Sequence, residues 1–178
     1  MEEKNLIKSK DKNMNIVLIG MPTAGKSTAG VILAKLKGFD FIDSDLVIQN
    51  QEDRLLKELI EQEGIDGFIS IENRINASLC VDHSIIATGG SVVYGAEAMV
   101  HLKSIGTIIY IKLSYETIKK RLGDAQQRGV VLREQQTLLE LYHERCPLYE
   151  SYADIIIDAE DLGVEELVNK IMEQLSSI

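Results

Sequence analysis

The sequence predicts a doubly wound α/β domain, a parallel sheet with helices on both faces. Five short β-rich apolar runs alternate with helical stretches along the chain, and the runs are continuously apolar, as strands buried on both faces must be. The segment GMPTAGKST at 20–28 sits between the first apolar run and the first helical stretch, where such sheets turn from strand to helix. Five strands are too few for a closed α/β barrel.

The strands are expected in NIVLIG (15–20), FDFID (39–43), SIIATGG (84–90), TIIYIKL (107–113) and ADIIID (153–158), all rich in Ile, Val, Phe or Tyr. Helical stretches fall between and after them, at 26–38, from Asp45 to Cys80, and at 96–104, 114–124, 134–152 and 164–175. Pro147 lacks an amide and crowds the preceding turn, so the 134–152 stretch is expected to break into two pieces there. A length of 178 residues suits one domain, placed at 14–178. The leader MEEKNLIKSKDKN (1–13) is mixed in charge and lacks the apolar core of a secretory signal, which marks a disordered tail.

A formal net charge of −9 argues against nucleic acid as a partner, because phosphate backbones need a basic face. Any anionic ligand is then held locally, by a few arginines and backbone amides. No apolar run approaches the roughly 18 residues of a membrane span. Cys80 and Cys146 lack CxxC spacing, and His83, His101 and His143 are equally scattered, which argues against zinc and fits a reducing cytoplasm.

Gly20, Gly25, Lys26 and Ser27 match G-x-x-x-x-G-K-[ST]. Glycines let the backbone wrap an anion with its amides pointing inward, and the helix that begins near Lys26 adds the positive end of its dipole. The reading is a site for ATP or GTP, with Ala24 and Thr28 in the same loop, Lys26 bridging the outer phosphates and the Ser27 hydroxyl on Mg²⁺. Asp43 and Asp45 follow the second strand as DSD; in an extended segment this spacing points both carboxylates to one side. There, beyond the carboxyl ends of the strands, one carboxylate can join the Mg²⁺ shell and the other orient an attacking hydroxyl. The same residues also suit a helix N-cap. Gly89 and Gly90, in ATGG at the end of the third strand, either make a tight turn or expose amides to a substrate.

The glycine loop, DSD after the second strand and Gly-Gly after the third together resemble the shikimate kinases, small P-loop enzymes related in fold to nucleoside monophosphate kinases. The similarity extends to RLGDAQQRG, with Arg121 and Arg128, and to ERCPLYESYAD, and it runs from about Asn15 to the last helix. The resemblance implies a three-layer P-loop kinase fold with a five-stranded parallel sheet in the order 2-3-1-4-5 and a lid at about 123–134. It also implies Mg²⁺-dependent transfer of the ATP γ-phosphoryl group to a hydroxyl of a small cyclic acid, shikimate giving shikimate 3-phosphate in aromatic amino acid biosynthesis, by a monomer or weak homodimer. Carried over residue by residue, Lys26 and Ser27 serve phosphates and metal, Asp43 the metal shell and Asp45 the acceptor hydroxyl. Arg121 lies on the adenine, Arg128 and Arg145 face the substrate carboxylate and phosphates, and Glu72, Gly89 and Gly90 complete the acceptor side.

The departures gather on that acceptor side. FISIE (68–72) stands where the family has F-R-x-x-E, so Ile69 replaces the arginine that grips the substrate carboxylate while Glu72 remains. Losing one partner of a buried pair of this kind costs roughly 2–5 kcal/mol. Ser91 stands where the family has a third glycine, and Gly129 where it has a proline. Arg54 and Arg74 are candidate replacements for the lost cation, although a residue five positions along a helix from Ile69 does not share its face. The acceptor is then shikimate or another hydroxylated metabolite, such as a sugar acid or a hydroxy amino acid. A catalytically inactive nucleotide-binding regulator would be expected to lose Lys26, Ser27 or Asp43, and all three are present.

Overall fold

The computed structural model describes residues 15–123, 130 and 132–177; the tail at 1–13, Arg128, Gly129 and most of the expected lid lie outside the described residues. Five strands, β1 (Asn15–Ile19), β2 (Asp40–Asp43), β3 (Ser84–Ala87), β4 (Gly106–Lys112) and β5 (Ile155–Asp158), pair in parallel in the order β2-β3-β1-β4-β5. Val17 at the centre of β1 pairs with Ile86 of β3 and Ile108 of β4, and all five residues of β1 are buried. The helices are α1 (Lys26–Lys37), α2 (Ser44–Glu52), α3 (Leu56–Ala77), α4 (Ala96–Ile105), α5 (Tyr115–Leu122), α6 (Leu138–Tyr152) and α7 (Val164–Leu175). A three-residue 3-10 turn, Val92–Tyr94, leads into α4.

The long stretch after β2 is two helices. Asp53 closes α2 in the left-handed conformation (φ 51°), and α3 carries a kink at Gly64, where φ is 70° and ψ 178°. Pro147 does not break α6, contrary to the expectation from sequence: the helix is continuous through it from Leu138 to Tyr152. Pro147 and His143, whose carbonyl would have received the missing amide, both lie on the exposed side, where water can take that carbonyl.

This order brings the carboxyl ends of β2, β3 and β1 side by side, and β1 runs straight into the glycine loop. Gly20 opens that loop at φ 145°, and a Cβ there would stand 2.7 Å from the Ile111 carbonyl oxygen of β4. The neighbour is backbone of a strand that lies between β1 and β5, at a residue paired with Ile157 of β5, so it cannot yield cheaply. We expect Gly20→Ala to lower the stability of the ligand-free protein by about 2 kcal/mol or more in urea unfolding. An unchanged midpoint would show that β4 gives way.

Candidate active site

The glycine loop is shaped to hold an anion. Thr23 (φ 64°) and Gly25 (φ 97°) take left-handed conformations, and Gly25 ends the loop as the N-cap of α1 without any side-chain cap. The first amides of α1 therefore keep their hydrogen-bonding capacity for a ligand. Lys26 folds back over the loop, its Nζ donating to the carbonyls of Gly20 (2.8 Å) and Met21 (3.0 Å). Burial lowers its pKa to about 8, against the opposing pull of Asp45. Thr23 Oγ1 is buried and has no hydrogen-bond partner among the described residues.

The loop forms one wall of a cleft of about 550 Å³. Pro22, Thr23, Gly25, Lys26, Ser27 and Thr28 line it on that side, Asp45, Thr88, Gly89 and Gly90 on the other, and Arg121 at its edge. Arg121 reaches the loop from α5, with its Nη1 3.4 Å from the Thr23 carbonyl oxygen. Gly20 and Ala24, assigned to nucleotide from the sequence, sit behind this wall: Ala24 is buried and Gly20 supplies a carbonyl to Lys26.

Both readings of DSD hold at once, for Asp43. Its Oδ1 accepts the Asp45 amide at 3.0 Å and caps α2, while its Oδ2 accepts the Ser27 hydroxyl at 3.2 Å. The extended-segment argument for the pair fails, because the chain turns from strand to helix at Ser44 and Asp45 lies in the first turn of α2. The two carboxylates are nonetheless close enough to interact. Asp45 has a raised pKa, first from burial and then from Asp43, with Lys26 opposing.

The glycines after β3 are required by space. A Cβ on Gly89 would collide with Glu72 Oε1 and lie 2.8 Å from Asp45 Oδ1; one on Gly90 would lie 3.0 Å from Pro22 and 3.1 Å from Arg145 Nη1. The Gly89 amide donates to the buried Ser44 hydroxyl at 3.2 Å, and the Thr88 hydroxyl donates to Leu18 O, pinning this turn to β1. Ser91 does not line the cleft; it is buried with ordinary φ (−90°) and turns its hydroxyl toward Glu72.

Glu72 and Arg145 are the two buried charges beneath this turn, each 1% exposed. Arg145 Nε donates to Tyr94 Oη at 3.2 Å, and the guanidinium lies 5.2 Å from the Tyr94 ring centre. Neither Glu72 carboxylate oxygen has a well-formed hydrogen bond among the described residues. Burial pushes its pKa up to about 7, with Asp45 adding to the rise and Ser91, Arg145 and Lys26 opposing it. Arg54 and Arg74 do not line this cleft; both pair with Glu52, and Arg54 also with Glu63. Sequence reasoning missed Pro22, Thr23 and Thr88, which lie inside motifs it had marked, and Tyr94, which carried no signal.

A phosphate loop facing a partly buried carboxylate across the ends of three parallel strands defines a P-loop small-molecule kinase. Residues 22–176 match the family described as Shikimate kinase. A shikimate kinase from Thermodesulfovibrio yellowstonii is 37% identical over 163 residues, covering 90% of this chain and 94% of that protein. The structure of shikimate kinase from Acinetobacter baumannii in complex with shikimate superposes with a TM-score of 0.83 at 30% identity, covering 93% and 94% of the two chains. That of Aquifex aeolicus gives 0.78 at 29%, covering 92% and 96%. The chain belongs to the shikimate kinase family. It is an ATP-dependent kinase that phosphorylates a hydroxyl group.

Two expectations follow from the buried charges. At pH 8 about half of Lys26 is neutral in the free protein, and bound phosphates favour its charged form, so ADP binding should take up to about half a proton. Calorimetry in buffers of different ionisation enthalpy measures this, and Lys26→Ala should abolish it. Glu72 has a folded pKa above its unfolded value, so its contribution is fully present below about pH 4.5 and is lost as the pH rises through about 7. Relative to wild type, Glu72→Gln should therefore gain stability between those values, by on the order of 3 kcal/mol in denaturant unfolding.

Proposed function

We propose that the acceptor is shikimate, phosphorylated at a ring hydroxyl to shikimate 3-phosphate. The observation that carries this reading is the position of Asp45: a partly buried carboxylate lining the same cleft as the Lys26 loop, on the side of the glycine turn. The shikimate-bound relative has the same fold over nearly the whole chain. Ile69 favours a different hydroxylated acceptor.

In this reading Lys26 leaves its loop carbonyls for the outer phosphates, and the amides at the start of α1 hold the oxygens around them. Thr23, whose Oγ1 has no hydrogen-bond partner among the described residues, lines the same cleft and can donate to that anion. The Ser27 hydroxyl and Asp43 carboxylate, 3.2 Å apart at the mouth of the cleft, suit a Mg²⁺ ion that takes few protein ligands and completes its shell with phosphate and water. When bound, the ion neutralises charge between the outer phosphates.

Asp45 accepts the hydrogen bond of the attacking hydroxyl and fixes its direction, and its raised pKa makes it the better proton acceptor near neutrality. Gly89 and Gly90 let the acceptor ring come close to the backbone, and Arg145 meets its carboxylate. Arg121 lies against the adenine. Arg128, outside the described residues, is proposed to close over the phosphates with the segment at 123–134. Alignment and charge neutralisation supply most of the catalysis in such a transfer.

Among the described residues no helix is long and apolar enough to cross a membrane. Cys80 and Cys146 are both free thiols. We assign the protein to the cytoplasm, as a monomer or weak homodimer.

The test is ADP release with Mg-ATP, with and without millimolar shikimate, using Lys26→Ala as the blank. We expect shikimate-dependent turnover, its abolition in Lys26→Ala, and a fall in kcat of about 10²-fold or more in Asp45→Asn with nucleotide affinity preserved. ATP binding without shikimate-dependent turnover would reject shikimate as the acceptor. Loss of nucleotide binding in Asp45→Asn would reject its role on the acceptor side.

A further inference from the structure

Ile69 leaves the acceptor site one cation short, and the structure brings another to the same place from a different part of the chain. Arg133, in the segment just before α6, lines a narrow cleft of about 10 Å³ together with Ile69, Tyr94, Gln136 and Arg145. The cleft approaches the acceptor side at Arg145. Arg145 spans the two, its Nη1 against Gly90, which lines the main cleft, and its Nε on Tyr94. We infer that Arg133 takes over the work of the arginine missing at position 69 and, with Arg145, grips the carboxylate of the acceptor.

The present partners of Arg133 are easily exchanged. Its Nη2 lies 3.2 Å from Asp66 Oδ1, and its Nη1 lies 4.0 Å from Glu144 Oε1. The Asp66 side chain is 89% exposed and that of Arg133 53%, so their pair is screened by water and contributes little. A substrate carboxylate between Arg133 and Arg145 would meet two guanidinium groups in a less solvated position, which is the stronger, charge-assisted arrangement. The backbone of Arg133 is already held for this. Its amide donates to Gln136 Oε1, and the Gln136 amide group donates to Glu144 on α6. The other described arginines are committed elsewhere, Arg54 and Arg74 to Glu52 and Arg121 to the edge of the phosphate loop.

The inference rests on shikimate, or at least a carboxylate, being the acceptor, and the experiment separates the two claims. Steady-state kinetics are measured for wild type, Arg133→Ala and Asp66→Ala, with shikimate and with its analogue carrying a hydroxymethyl group in place of the carboxylate. In Arg133→Ala the KM for shikimate should rise roughly 10- to 30-fold, with kcat and the KM for ATP within about twofold, and the preference for shikimate over the analogue should shrink by the same factor. Asp66→Ala removes the internal competitor and should leave the KM for shikimate unchanged or lower it up to about fivefold. A structural clamp between Arg133 and Asp66 would instead make the two variants behave alike, and equal rises in KM would overturn the inference. So would an unchanged KM in Arg133→Ala. Absence of shikimate-dependent turnover in the wild type would reject the acceptor, and this inference with it.

Discussion

The active site depends on two missing side chains. At Gly89 and Gly90 the chain turns off the central sheet through a space already filled by Asp45 and Glu72 on one side and by Pro22 and Arg145 on the other. No Cβ fits at either position without moving one of these groups. Removing the two side chains is what lets α2, α3, α6 and the phosphate loop converge on one point. The hydrogen bonds of Thr88 to Leu18 and of Gly89 to Ser44 then hold the turn in place.

Convergence has an electrostatic consequence. Lys26 and Arg145 face Asp45 and Glu72 in a poorly solvated region, and Lys26 and the two carboxylates are desolvated more than their neighbours compensate. Lys26 is made easier to deprotonate, and both carboxyls are made easier to protonate. In the proposed reading, a ligand that brings phosphates to Lys26 and a hydroxyl to Asp45 would offset this imbalance. The same imbalance that costs stability in the free protein thus favours binding. Glu72 is the sharpest case: with isoleucine at position 69 it keeps its place in the core but has no well-formed hydrogen bond among the described residues.

Much of this was legible in the chain because it is local. Strand, glycine loop and helix follow one another in sequence, so the phosphate site could be read from GMPTAGKST and its flanks. The order of the sheet came from the resemblance and is matched by the structure. Pro147 misled because propensity sees the missing amide and not the side of the helix it falls on. DSD misled in part, since the same carboxylate both caps α2 and meets Ser27.

The sequence by itself determined the α/β class, the phosphate-binding loop and the absence of the expected arginine at position 69. These rest on short-range pattern and on residue identity. Only the tertiary structure decided which cations lie near that position: it draws Arg54 and Arg74 away to Glu52 and brings Arg133, 64 positions along the chain, to line a cleft with Ile69. Side chains so far apart in sequence meet only through the packing of α3 and α6 around the glycine turn, and no local pattern encodes that distance.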